Sequence, residues 1–371
     1  MASVSLDAIA HNLRAIRRLL ARREPRGDAE IIAVVKANAY GHGAAPVAQA
    51  LEAAGATMVA CADIEEGVAL RDAGITRPIL VFGALSVSDL DGVFTHDLTP
   101  TISTPAAARA LEAGAAARHV RLRCHLKVDT GMNRLGFRHD NLRRTMPEVI
   151  ASPHLAIDAV YTHFATADDA ESPMLDEQRR RFEQAIAALG AMGVRNVMRH
   201  AANSAACLRD ERTWYDAVRP GLLLYGIVPP PLAAADLELR PALSLSSRIV
   251  AVKGLRAGEG SGYGLRWHAD GPRTIAIVPA GYADGLDTRL ANRGVALIRG
   301  RRVPIVGSVC MDMIMVDVTG LDVAPGDDVV LIGQQGEDEI SAREIAATIG
   351  TIPWEVVCRL GSRIERRYAS T

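Results

Sequence analysis

The sequence predicts an α/β fold: a (β/α)8 barrel followed by a smaller, mostly β C-terminal domain. Three observations carry that prediction. Through the first ~230 residues, short apolar runs alternate with helical patterns, the signature of βαβ units. Pro229, Pro230 and Pro231 then interrupt the pattern as a linker does. Beyond them the texture changes to short β-rich runs separated by glycine-containing turns. A chain of 371 residues has length for two such bodies, since single cores stop growing beyond about 250–300 residues.

The first element is a helix, because Leu6, Ile9, Leu13, Ile16 and Leu20 form one apolar stripe. Arg14, Arg17, Arg18, Arg22 and Arg23 flank it as a solvated basic face; a transit peptide is the weaker reading of this start. Candidate strands follow at 31–35, 58–62, 79–82, 98–102, 120–128, 157–162, 197–201 and 215–219. Between them lie alanine-rich segments of helical spacing, such as 46–54, 65–73, 105–113 and 175–189. Eight alternations fit a closed barrel, with an open doubly wound sheet as the alternative. The linker continues through 233–236, which divides the chain into domains 5–232 and 233–371, with residues 1–4 a candidate addition to the second. In the second, strands are expected at 244–252, 274–279, 295–299, 303–306, 313–318 and 329–332, and one clear helix at 342–349.

The formal net charge of −1 provides no field to attract nucleic acid or an anionic membrane, which leaves small molecules as the expected partners. The most apolar stretch, 221–235, is short and broken by prolines, so no membrane span is expected. Five scattered cysteines without a C-x-x-C pair argue against disulfides and a zinc site. Each is read as a small buried hydrophobe, no metal is expected, and the location is read as cytoplasmic.

Of 42 basic residues only three are lysine: Lys36, Lys127 and Lys253. Arginine stays protonated and cannot condense with a carbonyl, whereas lysine can. Lys253 stands in a polar stretch and reads as solvated. Lys36 ends an apolar strand and opens a loop, the place where barrel enzymes hold reacting groups. Position alone leaves a nucleophilic amine and a snorkelling surface lysine equally open.

At VVKANAYGHG (34–43) the sequence resembles the alanine racemase family. The resemblance continues in order through LKVDTGMNRLGF (126–137), THFATAD (162–168), HAANSAA (200–206), RPGLLLYG (219–226), GSGYG (260–264), AGYADG (280–285) and VCMDMIMVDVTG (309–320). It implies a barrel whose strand ends hold pyridoxal 5'-phosphate, a β domain, and a head-to-tail homodimer whose active sites take residues from both chains. The implied activity interconverts L- and D-alanine and supplies D-alanine for peptidoglycan.

By that resemblance Lys36 holds the cofactor covalently and is one catalytic base, and Tyr263 of the neighbouring chain is the other. Proton removal on one face and return on the other needs two such groups. Tyrosine ionises near pH ~10, so it needs help at neutral pH, and His163 is similar to the residue that provides it. Arg219 resembles the arginine that faces the cofactor's ring nitrogen. Ser204, the amides of Gly221 and Leu222, and the Tyr40 hydroxyl match the phosphate site, with Asn203 adjacent. Arg134 and the Met311 amide match the carboxylate site, and Tyr282 and Asp312 line it from the second chain. Lys127 matches a lysine that is carbamylated in many members, which turns a cation into an anion able to orient Arg134.

Two positions depart from the pattern. Trp354 stands where members commonly have a tyrosine that reaches the phosphate, and Ser308 replaces an arginine near the substrate entrance. Racemisation of serine or of a broader set is an alternative. A pyridoxal-phosphate carrier without turnover is another, disfavoured because barrel-only carriers lack the β domain and with it Tyr263 and Met311.

Overall fold

The structure, a computed structural model, describes residues 1–22, 29–83, 90–234 and 237–369. Arg23, Ala235 and Asp236, named above in the first helix and the linker, lie outside the described residues. The chain packs as two compact units. One comprises Ile9–Ala39 and Ala44–Leu239; the other comprises Met1–Ala8, Tyr40–Gly43 and Arg240–Thr371.

Strand β1 (Ala2–Ser5) belongs to the β-rich unit. The other unit is a closed ring. Its strands are β2 (Glu30–Val34), β3 (Met58–Cys61), β4 (Ile79–Val81), β5 (Leu98–Ile102) and β6 (Leu122–Asp129), with the short β7 (Phe137–Arg138) attached to β6. They are completed by β8 (Leu155–Tyr161), β9 (Met198–His200) and β10 (Ala217–Val218). Successive strands pair in parallel, and β10 pairs with β2 to close the barrel, which excludes the open doubly wound sheet. Ile79, Leu80 and Val81 are wholly buried, as expected of a parallel strand covered on both faces.

Two barrel strands are shorter than their apolar runs. Val120 is exposed and its amide closes a turn onto Ala115, so β6 begins at Leu122. Tyr215 has φ 47°, outside the extended region, so β10 is confined to Ala217–Val218. Local chemistry sets the helices. Asp63 and Thr104 cap the helices Ile64–Asp72 and Pro105–Ala117, each accepting a backbone N–H of the first turn. The helix Leu6–Leu20 buries Ile9, Leu13, Ile16 and Leu20 and leaves Arg14, Arg17 and Arg18 exposed.

The β-rich unit contains β11 (Leu243–Arg248), β12 (Ala251–Leu255), β13 (Arg273–Val278), β14 (Val295–Ile298) and β15 (Arg301–Pro304). It continues with β16 (Ile314–Asp317), β17 (Asp328–Gln335), β18 (Asp338–Ile340) and β19 (Arg366–Ala369). One sheet runs β15-β14-β17-β11-β1-β19 with β18 on β17, and a second runs β12-β13-β16. All pairs are antiparallel except β1 with β19.

The run 244–252, expected as one strand, is two. After Arg248 the Ile249 amide goes to Asp327 and the Val250 amide to Ile277, so the chain leaves one sheet and enters the other. The helix Ala342–Ile349 is where expected, capped by Ser341 and ended by Gly350 at φ 70°. A further helix, Pro353–Cys358, follows it. Cys61, Cys124 and Cys207 are buried, but Cys358 is exposed at the end of that helix, so it is not a core hydrophobe. No helix among the described residues is long and apolar enough to cross a membrane.

Candidate active site

Because the barrel strands are parallel, the segments that follow them gather at one end. Lys36 follows β2, Thr162 and His163 follow β8, Ala201 to Ser204 follow β9, and Arg219 follows β10. Lys127 and Asp129 end β6.

Lys36 is half-buried, two residues beyond β2. The backbone then turns left-handed at four successive non-glycine residues: Ala37, Asn38, Ala39 and Tyr40 have φ of 53°, 52°, 55° and 52°. Each costs roughly 1–2 kcal/mol relative to the right-handed form, so the surroundings must over-determine the turn. The Glu66 carboxylate accepts the Ala37 amide at 2.7 Å and the Ala62 amide at 2.8 Å, bridging the segments after β2 and β3. The Ala39 amide donates to Val35 O at 2.8 Å, and Asn38 Oδ1 accepts the Ala44 amide at 2.8 Å.

Arg219 is the hub of the barrel end. It is 4% exposed and donates to Thr162 O at 2.7 Å, Ala201 O at 2.9 Å, His200 Nδ1 at 2.8 Å and His163 Nδ1 at 3.3 Å. A guanidinium has only donors, so both imidazoles must accept at Nδ1 and carry their proton on Nε2. His200 Nε2 then donates to His125 Nδ1 at 3.1 Å, which extends the chain inward. Burial, reinforced by Arg219, holds His163 and His200 well below the usual imidazole range and brings His125 down to about 3. Burial also lowers Arg219, to about 10, which leaves it cationic at neutral pH. Tyr161 stacks on His200 at 4.7 Å and lies 5.1 Å beneath the Arg219 guanidinium, with its hydroxyl on Thr101 at 3.1 Å.

Lys127 is 6% exposed, its ammonium 5.7 Å from the Tyr161 ring. Desolvation first, then the charges of Arg134, Arg219 and Lys36, lower it to about 8, against Asp129. The fields of Arg219, Arg134, Lys127 and Lys36 also converge on His163. Such a concentration of cations is suited to an anionic ligand. Arg134 lies in a loop fixed by Asp129, which accepts the Gly131 amide at 2.9 Å and the Asn133 amide at 3.1 Å.

At the end of β9, Asn203 caps the helix Ser204–Arg209 by accepting the Ala206 amide at 2.9 Å. The Ser204 hydroxyl accepts the Gly221 amide at 3.0 Å and the Leu223 amide at 3.4 Å, which joins the β9 and β10 segments. Leu222 begins the 3-10 turn Leu222–Tyr225.

The remaining expected residues belong to the β-rich unit. Tyr263 is 78% exposed, in a turn where Gly262, Gly264 and Leu265 have positive φ, and its carbonyl accepts the Ser308 hydroxyl at 2.7 Å. Met311 and Tyr282 are exposed. Their loops zip together: Tyr282 and Ala283 donate to Cys310 O and Met311 O, and a Cβ on Gly281 would stand 2.2 Å from Met311 O. Arg363 links Asp312 at 2.8 Å to Asp284 at 2.8 Å. The helix Pro353–Cys358 carries half-buried Trp354 and packs on the loop Tyr40–Gly43. There a Cβ on Gly41, at φ 83°, would meet Val357 O at 2.1 Å. Burial pushes the Tyr40 phenol up.

Several residues were missed. His200 lies within HAANSAA but its place beneath Arg219 has no sequence signal. Gln178 had one: it falls on the buried face of the helix Met174–Ala191 among Leu175, Phe182 and Leu189. It accepts the Ala165 amide at 2.8 Å and donates to His163 O at 3.0 Å and Thr130 Oγ1 at 3.2 Å, bracing the His163 segment. Glu66 had none, since a glutamate in a first helical turn is ordinary.

The chain matches the model of the alanine racemase N-terminal domain over residues 4–229 and that of the C-terminal domain over 242–368. It is 43% identical over 368 residues to an alanine racemase of Symbiobacterium thermophilum, covering 99% of this chain and 96% of that one. Its structure superposes with TM-score 0.92 and 36% identity on alanine racemase from Bacillus anthracis with bound L-Ala-P, covering 100% of this chain and 94% of that one. With TM-score 0.88 and 28% identity it matches alanine racemase from Bartonella henselae with covalently bound pyridoxal phosphate, covering 100% and 99%. On matches that span both domains and nearly its whole length, the chain belongs to the alanine racemase family.

Proposed function

We propose that the protein interconverts L- and D-alanine using pyridoxal phosphate held covalently by Lys36. The observation that carries this reading is Lys36 on a braced strand-end turn, in a barrel end where Lys127, Arg134 and Arg219 concentrate positive charge. That donor set fits a group bearing a phosphate and an amino acid bearing a carboxylate. When bound, pyridoxal phosphate withdraws electron density from the α-carbon of a condensed amino acid and so acidifies its α-proton.

In this reading the Lys36 amine takes or returns the α-proton on one face, and Tyr263 of a second chain serves the other. Neutral His163, with its Nδ1 occupied by Arg219, offers only Nε2 to that tyrosine. Arg219 keeps positive charge at the cofactor's ring nitrogen. Ser204, the amides of Gly221 and Leu222, and the Tyr40 hydroxyl hold the phosphate, Asn203 supports them as a helix cap, and the Trp354 indole replaces the usual tyrosine. Arg134 and the Met311 amide hold the substrate carboxylate, with Tyr282 and Asp312 lining the site from the second chain. Lys127 becomes carbamylated and orients Arg134; an amine lowered to about 8 is neutral often enough at pH 7 to react with carbon dioxide.

A homodimer is the proposed assembly. Tyr263, Leu265, Tyr282, Met311 and Met313 are large side chains left exposed on the β-rich unit, which favours cover by a second copy. The proposed location is the cytoplasm and the proposed product use is peptidoglycan. Rates on L-alanine, L-serine and larger amino acids, read by chiral separation, test the substrate. Alanine is expected to be fastest; faster serine turnover would change the substrate, and a bound cofactor with no D-amino acid would support the carrier reading.

A further inference from the structure

We propose that Glu66 is the positioning residue for Lys36, holding the left-handed turn that presents the lysine amine; this rests on Lys36 as the cofactor-bearing residue. Glu66 is the third residue of the helix Ile64–Asp72, whose N-cap is Asp63. A glutamate there ordinarily folds back onto the amide of its own N-cap residue. Here the carboxylate reaches past it. One oxygen accepts from Ala62 and the other from Ala37, the residue that follows Lys36 and begins the left-handed run at φ 53° and ψ 52°. The Glu66 amide is itself fixed by Asp63 Oδ1 at 2.8 Å, so the carboxylate is anchored at its base.

The later residues of the turn have their own ties, Ala39 to Val35 and Asn38 to Ala44. Glu66 acts at its first peptide, the one joining Lys36 to Ala37. Without it Ala37 can relax to the favoured right-handed region, which reverses its φ and re-aims the lysine. A glutamine keeps the shape but sets an NH2 against one of two N–H donors, so it retains one bond; alanine retains neither.

The chain's three lysines report independently by peptide mass spectrometry. Apoprotein is treated with formaldehyde and cyanoborohydride, and methylation of Lys36 is compared with that of exposed Lys253. Glu66→Gln is expected to raise the Lys36 to Lys253 ratio at least threefold, and Glu66→Ala to raise it further. In a second measurement, pyridoxal phosphate is added and trapped with borohydride; its capture at Lys36 is expected to slow about tenfold in Glu66→Gln, the scale of one lost charge-assisted bond. Glu52→Gln is the structural control. Glu52 accepts the Thr76 amide at 3.1 Å and the Arg77 amide at 3.0 Å, away from the Lys36 turn, and its loss is expected to leave both readouts within twofold. A Lys36 ratio unchanged in folded Glu66→Ala, or moved equally by Glu52→Gln, overturns the proposal. Capture of pyridoxal phosphate at a lysine other than Lys36 in the unaltered protein overturns instead the cofactor reading beneath it.

Discussion

Replacing Arg219 by glutamine tests the hub of the barrel end. The wild-type side chain serves two backbone carbonyls, Thr162 O and Ala201 O, and two imidazoles, His200 and His163, from a 4% exposed position. A glutamine is shorter and has two donors, so at least two acceptors lose their partner. At about 1–3 kcal/mol for each unsatisfied buried acceptor the loss is about 2–6 kcal/mol. Relief from burying a guanidinium charge offsets part of it, which leaves a net destabilisation of about 2–4 kcal/mol. The chemical consequence is sharper than the energetic one. In the wild type, nitrogen-15 NMR of the imidazoles is expected to show His163 and His200 neutral, with the proton on Nε2. In Arg219→Gln the removal of a neighbouring cation raises both, burial still holding them below the ordinary range, and frees the tautomer of at least one. Nδ1-protonated imidazoles in the wild type, or unchanged stability and tautomers in the variant, would show that Arg219 does not set the proton positions of His163 and His200.

Three further outcomes follow from other parts of the molecule. His125, His163 and His200 are all held below the usual imidazole range, so the unfolded chain binds protons below pH ~6.5 that the folded chain does not; stability is full above that pH and falls as pH drops, by up to about 4 kcal/mol per pH unit for three protons, measurable by urea unfolding from pH 7 to 5. Carbon-13 bicarbonate is expected to give a carbamate signal in the wild type that is lost in Lys127→Arg, and its absence from both would remove carbamylation. Gly41→Ala adds a Cβ 2.1 Å from the backbone at Val357 at φ 83°, so a loss of at least ~2 kcal/mol and weaker retention of pyridoxal phosphate are expected; unchanged retention would detach the Tyr40 loop from the cofactor.

The barrel was legible because its strands are buried on both faces and therefore read as unbroken apolar runs, as Ile79–Val81 does. Lys36 stood out because lysine is scarce in the chain and this one follows such a run. Periodicity could not reveal where a strand changes partners, so 244–252 read as one element although its halves pair with different sheets. The left-handed turn was hidden for a different reason: Ala37, Asn38, Ala39 and Tyr40 contain no glycine, and their conformation is imposed by tertiary contacts such as Glu66. Arg219 looked like a surface charge outside its motif because its partners, Thr162, His163, His200 and Ala201, come from two other strand ends. Sequence spacing carries no trace of that convergence.

In the proposed reaction a proton is exchanged on both faces of the α-carbon by Lys36 and Tyr263. The most direct measurement incubates the protein with pyridoxal phosphate and L-alanine in deuterated water and follows chirality and α-deuterium together, in the wild type and in Tyr263→Phe. The wild type is expected to give α-deuterated D-alanine, and Tyr263→Phe to capture the cofactor at Lys36 but form D-alanine at least a hundredfold more slowly, the scale of a lost acid–base group (about 10²–10⁴). Racemisation at a near-normal rate in Tyr263→Phe, or no deuterated D-alanine from a cofactor-loaded wild type, would rule out proton exchange by Lys36 and Tyr263 on opposite faces.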